Sequence, residues 1–275
     1  MCLTRCCQVI LLLLAGFYTL GSHKLVITLA QQSPGWSPPE NFSENFTDDA
    51  GEVAAAFAPV MVADAWGQVH AFWGARTNAQ SPVIGNSIFY ALWDGQDWVV
   101  PNDVIYVGEI LNQHAFPKVA VDKEGWLHLV WINNGTLWYS RASVWEALSP
   151  RAWANPAMVS AGPIYNGTDQ PAAIVTDSNE MVHVVHCLGS EGNTVVHTAS
   201  LDGVEWSSPQ EVQSGNGGCQ VNLSIDAYDR LHLTYRLDYA GVMGLYYTRS
   251  EDFGVSWSSP VLIDQEDDRY LAPYN

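Results

Sequence analysis

Four aspartate–histidine pairs recur along the chain: Asp64 with His70, Asp122 with His128, Asp177 with His183, and Asp226 with His232. A carboxylate close to an imidazole can orient a general base or join a metal site. Fourfold use at one register argues against both, because a reaction centre needs a single pair while a repeated pair serves the repeated unit. The remaining pair of interest, His186 and His197, sits outside that register and adds no metal-ligand spacing, so no metal site is read. Acidic runs at Asp48-Asp49 with Glu52 and at Glu266-Asp267-Asp268 read as solvated loops. Calcium is the one ion such runs would suit, and no other cofactor is indicated.

The elements that carry these pairs are set by a second repeat. A tryptophan is followed three residues later by proline at Trp36/Pro39, Trp98/Pro101, Trp153/Pro156, Trp206/Pro209 and Trp257/Pro260, at intervals of 62, 55, 53 and 51 residues. A period of roughly 50 residues marks a stacked supersecondary unit. Within each unit the Asp-x-x-Gly-x-x-His segment joins two apolar alternating runs, such as Val60 to Ala63 and Val69 to Gly74; in the third and fourth copies Glu180 and Asp229 replace the glycine. Period-two runs joined by Asp- or Gly-bearing turns read as hairpins. A third run follows, at 88–93, 136–141, 194–200 and 245–250. Proline then opens a fourth, since it cannot donate to a ladder and suits a strand start or an edge. Four antiparallel strands per repeat predict an all-β fold, a β-propeller with blades at about 57–106, 116–161, 171–214 and 220–264.

The ends suggest more. Residues 31–56 contain Trp36-Ser-Pro-Pro-Glu-Asn-Phe42, which reads as an outer closing strand, and 265–275 reads as the start of a further blade. The expectation is a fragment of a five- to seven-bladed parent, with a degenerate five-blade ring as the alternative. Arg5 followed by the apolar run Val9 to Leu20 predicts a signal peptide within 1–30 or, uncleaved, an N-terminal anchor. Either places the chain outside the cell or on its surface. The net charge of −18 and only three lysines exclude nucleic acid as a partner.

Cys2, Cys6 and Cys7 fall in the leader, leaving Cys187 late on a second strand and Cys219 opening the next blade. They are either a disulfide closing a loop of roughly 32 residues or two buried thiols. Asn41, Asn45, Asn134, Asn166 and Asn222 each open an Asn-x-Ser/Thr sequon.

The segment Ser250-Glu-Asp252-Phe-Gly254-Val-Ser256-Trp257 resembles the Asp box of the sialidase (BNR-repeat) propellers, with Ser256 in place of threonine. Shortened relatives stand in phase at Ser200-Leu-Asp202-Gly203 to Trp206 and Leu92-Trp-Asp94-Gly95 to Trp98. As a turn device the aspartate accepts backbone N–H groups, glycine supplies positive φ and tryptophan packs beneath. The resemblance covers 57–264.

It implies an exo-sialidase that grips a sugar carboxylate with three arginines, attacks with a tyrosine paired to a glutamate, and uses an aspartate as acid/base. Loops entering the first strands and those joining second to third strands share one end of the propeller, and the arginines there are Arg76, Arg236 and Arg269. Tyr165, Tyr239 or Tyr270 would offer the phenol, Glu109 its base, and Asp169 or Asp238 the acid. The family's opening arginine motif is absent: the corresponding stretch reads Ala56-Phe57-Ala58-Pro59. The alternative is a non-catalytic propeller binding glycan or protein through aromatic loops, with Trp73, Trp131, Tyr165, Tyr239 and Tyr246 as stacking surfaces. Both readings make a glycan or glycoconjugate the expected partner.

Overall fold

The computed structural model describes residues 56–75, 87–108, 115–165, 167 and 170–265, all within a compact unit spanning Asn41–Asn275. A separate unit, Met1–Glu40, lies outside the described residues, as do the leader, the outer closing strand at 36–42 and the further blade start expected at 265–275 apart from Gln265.

The all-β reading holds. Among the described residues sixteen strands form four antiparallel meanders. The first is β1 (Ala56–Ala63), β2 (Val69–Ala75), β3 (Ser87–Trp93) and β4 (Asn102–Tyr106). The second is β5 (Lys118–Val121), β6 (Trp126–Asn133), β7 (Thr136–Ser143) and β8 (Ala157–Ser160), with a 3₁₀ turn at Pro150–Ala152. The third is β9 (Ala172–Thr176), β10 (Val182–Leu188), β11 (Thr194–Ser200) and β12 (Gln210–Ser214). The fourth is β13 (Gln220–Ile225), β14 (Leu231–Tyr239), β15 (Val242–Ser250) and β16 (Val261–Gln265). Their first strands neighbour one another in chain order, β1 beside β5, β5 beside β9 and β9 beside β13. All four line one cavity of about 300 Å³. Sheets arranged around a shared axis in this way are the blades of a propeller.

Each pair of adjacent blades buries a separate apolar layer. Phe72, Ile88 and Tyr90 of the first blade meet Leu127, Leu129 and Trp131 of the second. Val130, Ile132 and Tyr139 on the second blade's other face meet Ile174, Val182 and Val184. Val185, Cys187 and Val195 then meet Leu231, Leu233 and Tyr235. Each such side chain contributes about 1.5–3 kcal/mol on burial, so the stack is held mainly by these layers.

The recurrent aspartates and histidines turn out to bind each other. Asp122 Oδ1 accepts the backbone N–H groups of Glu124 and Trp126 at 3.0 and 2.8 Å, closing the β5–β6 turn. Its Oδ2 meets His128 Nε2 at 3.1 Å, and His128 Nδ1 meets the Tyr139 hydroxyl at 2.7 Å. Asp64, His70 and Tyr90 repeat this set, and so do Asp226, His232 and Tyr247. Left-handed backbone falls at Gly67, Gly125, Glu180 and Asp229 alike, so the turn survives where glycine does not. The turns are also tied across blades: Lys123 donates to the Ser178 carbonyl at 2.9 Å, and Ser178 donates its N–H to Asp229 at 2.9 Å.

The third blade departs from the pattern. His197 stands where the other blades carry tyrosine, and its Nε2 lies 3.1 Å from His183 Nδ1. Burial, then repulsion from His183, pushes His197 down to about 3; burial, then His197, does the same to His186. Unfolded histidines bind protons near pH 6.5, so between about 6.5 and 3 the unfolded chain holds more protons than the folded one. Stability is complete above that window and falls as pH drops through it, by up to about 1.4 kcal/mol per pH unit for each histidine. His197→Tyr, which restores the hydroxyl partner of the other blades, is expected to flatten this decline. Urea midpoints of both proteins between pH 7 and 4 measure it; parallel curves would contradict the assignment.

Candidate functional site

At the end of the propeller where second strands turn into third strands, three loops converge on one segment of the fourth blade. Tyr165 donates its backbone N–H to the Cys187 carbonyl at 2.9 Å. Its ring lies over Gly192, where an added Cβ would also meet Cys219 Cβ at 3.1 Å. Cys187 and Cys219 are joined by a disulfide, with Cα atoms 5.9 Å apart, linking the end of β10 to the residue that precedes β13. Gly218 donates to the Glu191 carbonyl at 2.9 Å and accepts Arg236 Nη1 at 2.7 Å. Gly218 has φ +77°, a conformation that favours glycine, and a Cβ there would stand 2.5 Å from Arg236 Nη1 and shift the guanidinium from its present position. Tyr165 and Arg236 thus share one rigid support: the Gly217–Cys219 strip, stapled to the neighbouring blade.

Arg236 is half-buried on β14, where it pairs with Gln220 and Leu245. The same register holds Gly74, Ile132 and Cys187 in the preceding blades. Its neighbours on that face follow suit, with Asn222 and Thr234 in place of Val60 and Phe72, or of Ala173 and Val185. These positions are therefore apolar in the first and third blades and polar in the fourth. No further blade packs on this face of the fourth among the described residues, and the His232 side chain is 27% exposed, against 0 to 2% for His70, His128 and His183. These departures from the repeat are the sequence signal that would have marked Gln220, Asn222 and Thr234 beside Arg236. A similar departure marks Lys118, which lines the central cavity with Gln170 and Asn222.

Asp238 and Tyr239 were expected in a loop, and the structure corrects this. Ala240 and Gly241 take φ of +53° and +80°, forming a two-residue hairpin turn that lets the ladder run on to the Tyr239–Val242 pair. Asp238 lies on the Arg236 face. Its Oδ2 accepts Asn216 Nδ2 at 3.2 Å, while its Oδ1 is buried with no partner among the described residues. Tyr239 lies on the opposite face, edge-on to Tyr246 with centroids 5.7 Å apart. Tyr246 donates its hydroxyl to the Val242 carbonyl at 2.7 Å, and burial raises its phenol above the usual range, with Asp238 and Tyr239 adding to the shift. Trp73, Trp131 and Tyr246, proposed as stacking surfaces, are all buried between strands and blades and offer no open face. Arg76, Arg269, Tyr270, Glu109 and Asp169 lie outside the described residues.

The opposite end carries the turn devices. Asp252 Oδ1 accepts the Ser256 N–H at 2.8 Å, and Ser250 Oγ accepts the Gly254 N–H at 2.8 Å. Asp202 and Ser200 hold their turn in the same way. Gly254 sits directly against the His197 ring, and Trp257 packs edge-on to that ring at 5.9 Å. Ser250, Asp252, Gly254 and Trp257 are thus engaged in turn and blade packing, far along the strands from Arg236.

No family model matches the chain, and no curated protein matches it. Solved structures do. A Hadza microbial sialidase aligns over 77% of this chain and 47% of its own, with TM-score 0.51 and 14% identity. The intramolecular trans-sialidase from Ruminococcus gnavus aligns over 76% and 71%, with TM-score 0.54 and 12% identity. The fold is that of the sialidase-type propellers. An ulvan lyase shares it equally, at TM-score 0.54 and 9% identity over 78% of this chain and 57% of the lyase. The chain spans about half the length of the first of these, and identities this low establish architecture without assigning an activity.

The disulfide that supports the site is also testable. Replacing both Cys187 and Cys219 by serine is expected to lower stability by about 3–4 kcal/mol, from the loop entropy released over a separation of 32 residues. Urea unfolding at pH 7 measures it, and a midpoint unchanged from the parent would show that the bridge does not restrain the fold.

Proposed function

We propose that this chain is a glycan-recognising propeller whose loop end takes a carboxylate-bearing sugar, with Arg236 as the anion contact and Tyr165 as a flanking ring. The observation that carries the proposal is Arg236 itself, a half-buried guanidinium held by the Gly218 carbonyl at a register that is otherwise apolar or glycine. A guanidinium is a planar fork of donors whose geometry matches a carboxylate. Fold likeness to proteins named as sialidases and as a polysaccharide lyase supports the ligand class. In a chain of net charge −18, a selective anion contact has to be local, since the global field repels acidic sugars.

Exo-sialidase-type hydrolysis is the enzymatic form of this reading, favoured by Asp238, whose buried Oδ1 has no partner among the described residues and lies on the Arg236 face. In that form Asp238 or Asp169 would act as the acid/base and Arg76 and Arg269 would complete the carboxylate grip; Tyr239 faces away from Arg236 and Asp238, so Tyr165 or Tyr270 would serve as nucleophile, with Glu109 as its base. A secreted or cell-surface protein would meet such glycans.

Calorimetric binding of α-sialyllactose, together with turnover of a fluorogenic sialoside, tests both forms. Arg236→Ala is expected to weaken binding at least tenfold, equivalent to about 1.4 kcal/mol. Arg236→Lys should recover only part of that, because an ammonium lacks the fork. Arg249→Ala, on the same strand sheet near the turn end, should leave affinity unchanged. Equal affinity in the Arg236→Ala and parent proteins, with both folded by thermal melting, would remove Arg236 from the site. Binding without release of fluorophore would favour recognition over hydrolysis.

A further inference from the structure

We propose that Asn134 is the acceptor of an N-linked oligosaccharide. Two adjacent asparagines, Asn133 and Asn134, end the β6 strand and begin its turn, and only the second opens an Asn-x-Thr triplet, Asn134-Gly135-Thr136. The structure separates them in the same sense. Asn133 is committed inward: its Nδ2 donates to the Val107 carbonyl. Asn134 is exposed at the tip of the hairpin, and its carboxamide makes no hydrogen bond among the described residues.

The turn fixes this outward position. Asn133 pairs with Thr136, so Asn134 and Gly135 are the two central residues of the hairpin, with φ of +48° and +72°. Both lie in the left-handed region demanded by a two-residue turn whose twist matches its strands. Asparagine and glycine are the residues that adopt it most readily, so the turn alone accounts for Asn134-Gly135. It does not call for a hydroxyl at position 136, which opens β7. Thr136 is what completes the acceptor triplet.

A second observation, independent of the triplet, concerns the compartment. Cys187 and Cys219 form a disulfide within the same fold, and such bridges persist in oxidising compartments, including the lumen where N-linked transfer takes place. In the transfer, Nδ2 of Asn134 attacks the anomeric carbon of a polyprenyl-diphosphate-linked oligosaccharide. A C–N bond forms as the C–O bond to phosphate breaks; the polyprenyl diphosphate leaves, and the amide releases one proton to solvent. The glycan would then stand at the loop end: the Gly135 carbonyl accepts the Ile164 N–H at 3.0 Å, next to Tyr165.

The full chain, with its own first 30 residues, translated in the presence of endoplasmic-reticulum microsomes, tests this. Expected is a protease-protected product whose endoglycosidase-sensitive ladder loses one step in N134Q and the same step in T136A, while T136S retains it. Peptide-N-glycosidase treatment of the unmutated chain in ¹⁸O water should convert Asn134 to labelled aspartate, a readout that needs no variant to fold. An unlabelled Asn134 peptide, a ladder unchanged by N134Q, or a chain left outside the microsomes would each overturn the proposal.

Discussion

A single carboxylate governs each blade. One oxygen of Asp64, Asp122, Asp177 or Asp226 gathers two backbone N–H groups of the tight turn after the inner strand, and in three of the four the other oxygen binds the histidine of the second strand. In the third blade that last contact stretches to 3.5 Å, beyond hydrogen-bonding range. The histidine in turn reaches a hydroxyl on the third strand in all blades but the third. Three strands are thus pinned by one polar chain at the same height in the sheet. Because the groups are buried in the first two blades, leaving any of them unpaired would cost more than the bond itself contributes, a cost that the third blade carries at Asp177 Oδ2 and His183 Nε2. The arrangement explains why chemistry-bearing residues recur fourfold without forming a reaction centre.

The fold was legible because its periodic signals are local. Trp-x-x-Pro and Asp-x-x-Gly-x-x-His each report on a turn and the strands beside it, and both are set within a few residues. What the sequence could not show was cross-strand partnership. Tyr90, Tyr139 and Tyr247 complete the polar chain, but their pairing depends on ladder register, which is fixed by turns of different length. The misplacement of Asp238 and Tyr239 has the same origin: a two-residue turn at Ala240-Gly241 extends the ladder beyond what alternation suggests. The aromatic residues taken for ligand platforms failed for another reason. The second and third blades are covered on both faces, so alternation along a strand does not separate inward from outward there; Trp131 is buried although it faces away from Val130, as is Trp73 although it faces away from Phe72.

The candidate site was legible in part. Arg236 stood out by position, and the Cys187–Cys219 bridge was one of the two readings open for those cysteines; hidden was the Gly218 carbonyl that holds the guanidinium, which approaches through chain reversal and not through nearness in sequence. Its real distinction lies in the comparison of registers. Gly74, Ile132 and Cys187 occupy the same place in the earlier blades, so the fourth blade alone offers a guanidinium there. A repeat protein advertises function where one copy stops resembling the others.

Glu180 and Asp229 occupy equivalent left-handed positions, but only Asp229 also holds Ser178 of the preceding blade. An engineer averaging the four copies would write glycine at both. At Glu180 the change would merely relax the main chain; at Asp229 it would sever a rivet between neighbouring sheets. Consensus thinking, sound within one unit, therefore misjudges a side chain whose duty belongs to the next.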